Sequence, residues 1–232
     1  MATHGKRYNE AAKQVDRKIA YKLDQAVDVL KKLPKTKFDE AVELAFKLGV
    51  DPKQSDQMVR GTVALPHGSG KKVRVVVFAK GAAAQAAKEA GADMVGFDDI
   101  IKKCQEGWTD FDVAVATPEA MQEVRKLGKV LGPKGLMPNP KTGTVTEDTA
   151  RAVKEVKAGR VEFKMDKAAN VQVAFGKLSF DAKAIAENAR TVISAVLHAK
   201  PAAAKGRYVE SCTLSSSMSP GLRIDLGEFG AN

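Results

Sequence analysis

The sequence predicts an α/β protein in which a block of parallel strands and helices is inserted into a discontinuous antiparallel α+β domain. Three observations predict it. From Phe38 to Leu65, and again beyond Gly159, apolar and polar residues alternate with period two, as in strands that cover a core with one face. Between Val73 and Lys157, short and almost wholly apolar strands alternate with helical stretches, as in parallel strands covered on both faces. The breaker Pro66-His67-Gly68-Ser69-Gly70 separates the two textures. An exposed Gly-rich tip is where a chain tolerates an inserted domain, so the expected division is 1–67 plus 160–232 around 68–159. At 232 residues the chain is long enough to bury two cores.

The elements follow in order. Lys6 to Lys32 reads as basic and helical, with Ala12, Val15, Ile19 and Leu23, then Ala26, Val27, Leu30 and Leu33, on an apolar stripe that Pro34 ends. Phe38, Val42, Leu44, Phe46 and Leu48 share one parity and predict a half-buried strand; Asp51-Pro52 turns the chain into a second strand, Val59 to Leu65. The middle block predicts strands at Val73 to Ala79, Asp93 to Gly96 and Val113 to Ala116. Its helices are expected at Ala82 to Ala90, Asp98 to Gln105, Thr117 to about Leu127, and Glu147 to Lys157, with Gly91, Gly107 and Gly159 closing three of them. Thr117 can cap its helix, with Pro118 in the first turn where a missing N–H costs nothing. Arg160 to Asp166 and Val171 to Phe175 read as a hairpin around Lys167-Ala168-Ala169-Asn170. Asp181 to His198 is a long helix with Ile185, Ala189, Val192 and Val196 on one face; Tyr208 to Leu214 and Leu222 to Leu226 are the last strands.

A net charge of +10 and a pI near 9.5 point to an anionic partner, and for a basic protein nucleic acid is the commonest. Residues 1–67 plus 160–232 carry 23 Lys/Arg against 16 Asp/Glu, net +7, while 68–159 carry 15 against 12, net +3. The outer domain is therefore expected to hold the main anion surface. No run approaches the roughly 18 apolar residues of a membrane span, and Met1 to Lys13 lacks the apolar stretch of a signal peptide, which predicts a cytosolic protein without a membrane partner. Cys104 and Cys212 stand far apart with no CxxC, and His4, His67 and His198 are scattered, so no disulfide framework or metal site is expected.

Gly132 to Thr146, GPKGLMPNPKTGTVT, combines three prolines, three glycines and two lysines with no acid, base or nucleophile. Pro133, Pro138 and Pro140 fix φ, and Gly132, Gly135 and Gly143 permit turns, so a rigid cationic loop is expected in place of helix or central strand. It presents Lys134 and Lys141, with Leu136 and Met137 as apolar tips, beside Arg125, Lys126 and Lys129. Gly68-Ser69-Gly70-Lys71-Lys72 imitates half a phosphate-binding loop, yet Leu65 replaces the first glycine, Lys72 the magnesium-binding hydroxyl, and a strand follows where a helix is needed; a hinge fits better. Phe78-Ala79-Lys80-Gly81 lacks GxGxxG, so no cofactor is expected. Asp98-Asp99 and Glu147-Asp148 sit at helix starts, where capping explains them better than acid/base chemistry. A nucleotide-binding enzyme built on the middle block is the rival reading.

Three outer-domain loops suit RNA. Lys35-Thr36-Lys37-Phe38 places two cations beside an aromatic, Lys164 to Lys167 brackets Asp166, and Ser215 to Ser219 sets hydroxyls and amides around Met218. Phe38 belongs equally to the apolar parity of its strand, so core packing and RNA contact both stay open for it. The charged residues of the first helical stretch read most simply as a solvated face.

The segments LGKVLGPKGLMPNPKTGTVT (Leu127 to Thr146), SDQMVRGTVALPHGSGK (Ser55 to Lys71), KFDEAVELAFKLGVDP (Lys37 to Pro52), VEFKMDKAANVQVAFGKLSF and SSSMSPGLRIDL resemble the family of the bacterial large-subunit ribosomal protein L-one, along essentially the whole chain. The resemblance implies a split antiparallel α+β sandwich domain with an inserted Rossmann-like α/β domain that holds no cofactor. It implies binding to a junction of large-subunit ribosomal RNA in the ribosomal stalk, company for the tRNA near the exit site, and repression of translation of the protein's own messenger RNA. Primary contact is carried over to Phe38, Lys164, Asp166, Lys167, Ser217, Met218 and Ser219, joined by Lys35, Lys37 and Ser215 of the same loops; Arg125, Lys134 and Lys141 become a secondary contact. A monomer within the cytoplasmic ribosome, without enzymatic activity, is the implied state. Ser217 and Ser219 stand where the family usually has Thr and Gly before Pro220, and a positive φ at 219 would strain a serine by about 1 kcal/mol.

Overall fold

The computed structural model describes residues 4–16 and 18–230, with the side chain of Lys141 left out. The chain divides into two compact units, residues 1–70 with 161–232 and residues 71–160. In chain order the first elements are α1 (Lys6–Lys13), α2 (Leu23–Lys32), β1 (Ala41–Leu48) and β2 (Arg60–Ala64). Then come β3 (Val75–Phe78), α3 (Gly81–Glu89), β4 (Met94–Gly96), α4 (Asp98–Gln105), β5 (Val113–Ala116), α5 (Met121–Val124), α6 (Gly128–Leu131) and α7 (Thr149–Lys157). The chain ends with β6 (Arg160–Lys164), β7 (Asn170–Lys177), α8 (Ala182–His198), β8 (Val209–Ser216) and β9 (Leu222–Ile224).

In the first unit, the described residues form an antiparallel sheet in the order β7-β1-β8-β9. Val42, Leu44, Phe46 and Leu48 of β1 are buried, as their parity predicts. Helix α8 packs against β7 and β2, and α2 packs against α8, β8 and β9, so both helices lie on that side. Ile185, Ala189, Val192 and Val196 of α8 are wholly buried, and Asp181 caps its start. On the opposite face the alternate residues of β1 and β7, including Glu43, Ala45, Lys47, Gln172 and Ala174, stay partly or fully exposed. The open face of this sheet is the fold's main contribution to a site.

Two expectations fail in this unit. The helical stretch from Lys6 to Lys32 is interrupted: α1 stops at Lys13, and Ile19, placed on the apolar stripe, is 52% exposed. Tyr21 donates its N–H to the Arg223 carbonyl and accepts from the Asp225 N–H, bridging to β9. Satisfying the open edge of β9 outweighs helix continuity there. The hairpin also opens. β6 pairs with β2, and β7 pairs with β1, leaving Met165 with Val171 as the bridge between them. The Met165 N–H donates to the Val59 carbonyl, which carries β6 along β2 and away from β7.

The second unit is a parallel sheet, β4-β3-β5, with α3 and α7 packed on one another and against it. Val75, Val76, Val77 and Phe78 are all buried, as strands covered on both faces require. Asp148 caps α7 by accepting the Arg151 N–H, whereas Asp98 and Asp99 lie inside the first turn of α4 with no capping hydrogen bond. The helix expected up to Leu127 is instead a run of short turns reaching Leu131; Thr117 still accepts the Ala120 N–H. Burial of Val124, Leu127 and Leu131 continues the spacing past Gly128.

Both cysteines are buried free thiols. Desolvation pushes the Cys212 thiol up to about 12 and raises Cys104 as well. At neutral pH neither should react with an aromatic disulfide reagent within an hour, and both should react at once in denaturant; rapid labelling of the native protein would contradict this packing.

Candidate nucleic-acid interface

At the start of β1, two predicted loops are joined by a residue that the sequence reading passed over. Glu40 is only 2% exposed, and its carboxylate accepts from the Thr36 N–H (3.2 Å), the Ser216 hydroxyl (2.6 Å) and the Met218 N–H (3.1 Å). Burial works to raise its pKa, but these donors outweigh burial and hold the carboxyl below its ordinary value. Arg7 of α1 adds a second tie, donating to the Pro34 carbonyl (3.1 Å) and the Met218 carbonyl (2.6 Å). The solvated-face reading of α1 fails at that residue. A buried acid six residues before an apolar-parity Phe46 gave no sequence signal beyond its position on the even parity of the strand.

Phe38 lies before the first residue of β1 and is 56% exposed, which excludes the core alternative left open for it. Met218 is 50% exposed at the tip of the facing turn. Lys35 and Lys37 flank Phe38 around a cavity of about 260 Å³, and neither ammonium group has a partner among the described residues. Two of the serines are bonded within the protein. The Ser217 hydroxyl accepts the Ala41 N–H (3.1 Å), and Ser219 accepts the Ser216 N–H (2.8 Å) and donates to the Pro220 carbonyl (3.1 Å). Both hold the turn. Among the described non-glycine residues Ala169 alone has positive φ, so Ser219 carries no such strain. Ser215 is half-buried on β8, opposite Glu43.

Lys164, Asp166 and Lys167 are not beside these loops. They sit past the other end of β1, where Leu48 donates its N–H to the Ala169 carbonyl. The eight residues of β1 span about 24 Å, so the predicted residues form two groups at opposite ends of one strand. Asp166 accepts from the Ala168 and Asn170 N–H groups, both at 2.8 Å, and from the Asn170 side chain at 3.3 Å. Those bonds, the Asn170 N–H first, lower its pKa and hold the tight turn in which Ala169 has φ 59°. The lysines on either side point to solvent with no partner among the described residues. Between the two groups runs the open sheet face, where Thr213 and Gln172 flank Ala45, and Ser211 and Asn170 flank Lys47. It bears hydroxyl and amide groups, and no run of apolar side chains.

In the second unit the rigid loop is more tightly held than its composition suggests. Leu136 and Met137 pack against the core around Phe78, Leu127 and Leu131 and are not tips. Thr142 and Thr144 both donate to the Asn139 carbonyl, and Val145 makes a single parallel bridge to Ala116 at the end of β5. Gly135 and Gly143 take φ of 71° and 66°, the left-handed turns for which glycine suits. Lys134 is exposed with its ammonium bonded to the Thr109 hydroxyl, and Arg125 is exposed on a 3-10 turn. The side chain of Lys141 lies outside the described residues.

Free cations on loops around an open, polar sheet face give the chain the character of a nucleic-acid-binding α/β protein. The model of the Ribosomal protein L1p/L10e family matches residues 30–220, and the chain belongs to that family. Its members are ribosomal RNA-binding proteins with a structural rather than an enzymatic part in the ribosome.

Proposed function

We propose that this protein is a structural component of the large-subunit stalk, that it binds large-subunit ribosomal RNA through the first unit, and that both ends of β1 take part. The observation that carries this reading is the pair of exposed apolar side chains, Phe38 and Met218, on loops locked together by the buried Glu40. Pre-set loops lose little entropy on binding, so shape supplies selectivity while Lys35, Lys37, Lys164 and Lys167 supply phosphate contacts. Arg125, Lys134 and Lys141 would serve as a secondary contact of the second unit. As a monomer of the cytoplasmic ribosome the protein would accompany the departing tRNA near the exit site. The same surface would repress translation of its own messenger RNA by binding a similar fold.

The test is binding of the purified protein to a stalk fragment of large-subunit ribosomal RNA, against a scrambled RNA of equal length. Selective binding supports the reading, and equal weak binding overturns it. With four lysines each neutralising one phosphate, the slope of log affinity against log salt should be roughly −3, a loss of about 60-fold between 50 and 200 mM. A flat dependence would contradict the electrostatic part.

A further inference from the structure

One cavity carries chemistry that the loops at the start of β1 do not share. Pro52, Met58, Lys164, Met165, Asp166 and Lys167 line a groove of about 480 Å³, between the loop after β1 and the turn after β6. Its floor is apolar. Met165 is buried, Pro52 half-buried, and Met58 is 44% exposed in a position where solvent gives a thioether nothing in return. The Met165 N–H is bonded to the Val59 carbonyl, so the two walls are fixed to one another by backbone. The acid in the lining is mostly engaged by its own turn, because Asp166 receives three hydrogen bonds from it and keeps about one acceptor site for a ligand. What the groove offers a ligand is therefore an apolar surface with the exposed Lys164 and Lys167 beside it, their two charges only half offset by the turn-bound Asp166 carboxylate.

We infer that this groove receives a single unstacked nucleobase of the bound RNA, with Lys164 and Lys167 on its flanking phosphates; the inference rests on the RNA-binding reading above. Charge complementarity selects the occupant. A peptide side chain would fill the apolar floor but leave two lysines facing no anion, whereas a nucleotide brings its base and its phosphates together. The base need not be hydrogen-bonded to be held. Polarisable thioether sulfur makes favourable contacts with an aromatic ring, and the Pro52 ring adds a second apolar face. The volume is ample for one nucleotide and within the range of small-molecule sites. Bases in bulges and loops are the ones that proteins extract from RNA, so a junction RNA is a suitable source.

The experiment uses the whole protein with its methionine methyl groups labelled with carbon-13, titrated with the stalk RNA fragment. The methyl signals of Met58, Met165 and Met218 are assigned through Met58→Leu, Met165→Leu and Met218→Leu. A base over the groove moves the Met58 methyl upfield by ring current, and Met58→Asp lowers affinity about tenfold while the free protein keeps its melting temperature. A shift at Met218 with none at Met58, and unchanged affinity for Met58→Asp, overturns the nucleobase pocket and leaves the RNA reading standing. No selective binding and no shift at either methionine overturns both. A Met58 methyl untouched by the RNA fragment but shifted in the reassembled large subunit assigns the groove to a protein neighbour and also overturns the inference.

Discussion

Met218→Asp should weaken binding of the stalk RNA fragment about 100-fold, while Lys71→Ala changes it less than about threefold. The Met218 backbone is held on both sides of its Cα, through its N–H to Glu40 and its carbonyl to Arg7, so the side chain can be exchanged without releasing the turn. The substitution removes an exposed apolar contact worth roughly 1–3 kcal/mol against a base and sets a carboxylate where phosphates approach. Lys71 is a fair control because it is exposed, cationic and already paired with Asp112 at 2.6 Å. Met218→Leu should retain most of the affinity. Fluorescence anisotropy at fixed salt measures all three, and equal losses for Met218→Asp and Lys71→Ala would mean that the contact surface lies elsewhere.

Glu40→Ala should cost about 2–3 kcal/mol of stability and lower the melting temperature by roughly 4–12 °C. Its removal strands the Ser216 hydroxyl and the Thr36 and Met218 N–H groups, all three of which now donate to one buried carboxylate. RNA affinity should fall with it, even though Glu40 faces away from solvent, because the Lys35 to Phe38 loop and the Met218 turn would no longer be held to one another. The pH dependence has a definite sign. A carboxyl whose folded pKa lies below its ordinary value of 4.5 stabilises the protein fully above that value, and the contribution is lost as pH falls through the folded pKa. Urea unfolding should thus show a wild-type advantage over Glu40→Ala that is constant near neutrality and shrinks in acid. An advantage that grows in acid would show that the carboxylate is destabilising in the folded state.

The β1 parity, the all-apolar strands of the second unit and the apolar face of α8 were legible because period alone decides which side of an element is buried. The loops were legible for composition but not for partners. Phe38 shares its parity with the core residues of β1, and only its place ahead of the strand exposes it. Glu40 shares that parity too, yet is buried as a charge, since its acceptors' work is done for backbone groups 4 and 178 residues away. The serines of the Met218 turn look from sequence like free hydroxyls, and the fold uses two of them to hold the turn.

Local sequence determined the alternation of strands and helices, the mixed α/β class and the basic loops, because those depend on side-chain period, φ restriction and charge, which neighbours along the chain set by themselves. Tertiary structure alone decided that Lys164 to Lys167 lies about a strand length from Phe38 and Met218, and that β6 leaves its hairpin partner for β2. It also decided that Glu40 and Arg7 tie the two loops together. The physical reason is that backbone donors and acceptors must be satisfied wherever the chain brings them, and those pairings join residues whose separation in sequence carries no signal of their meeting.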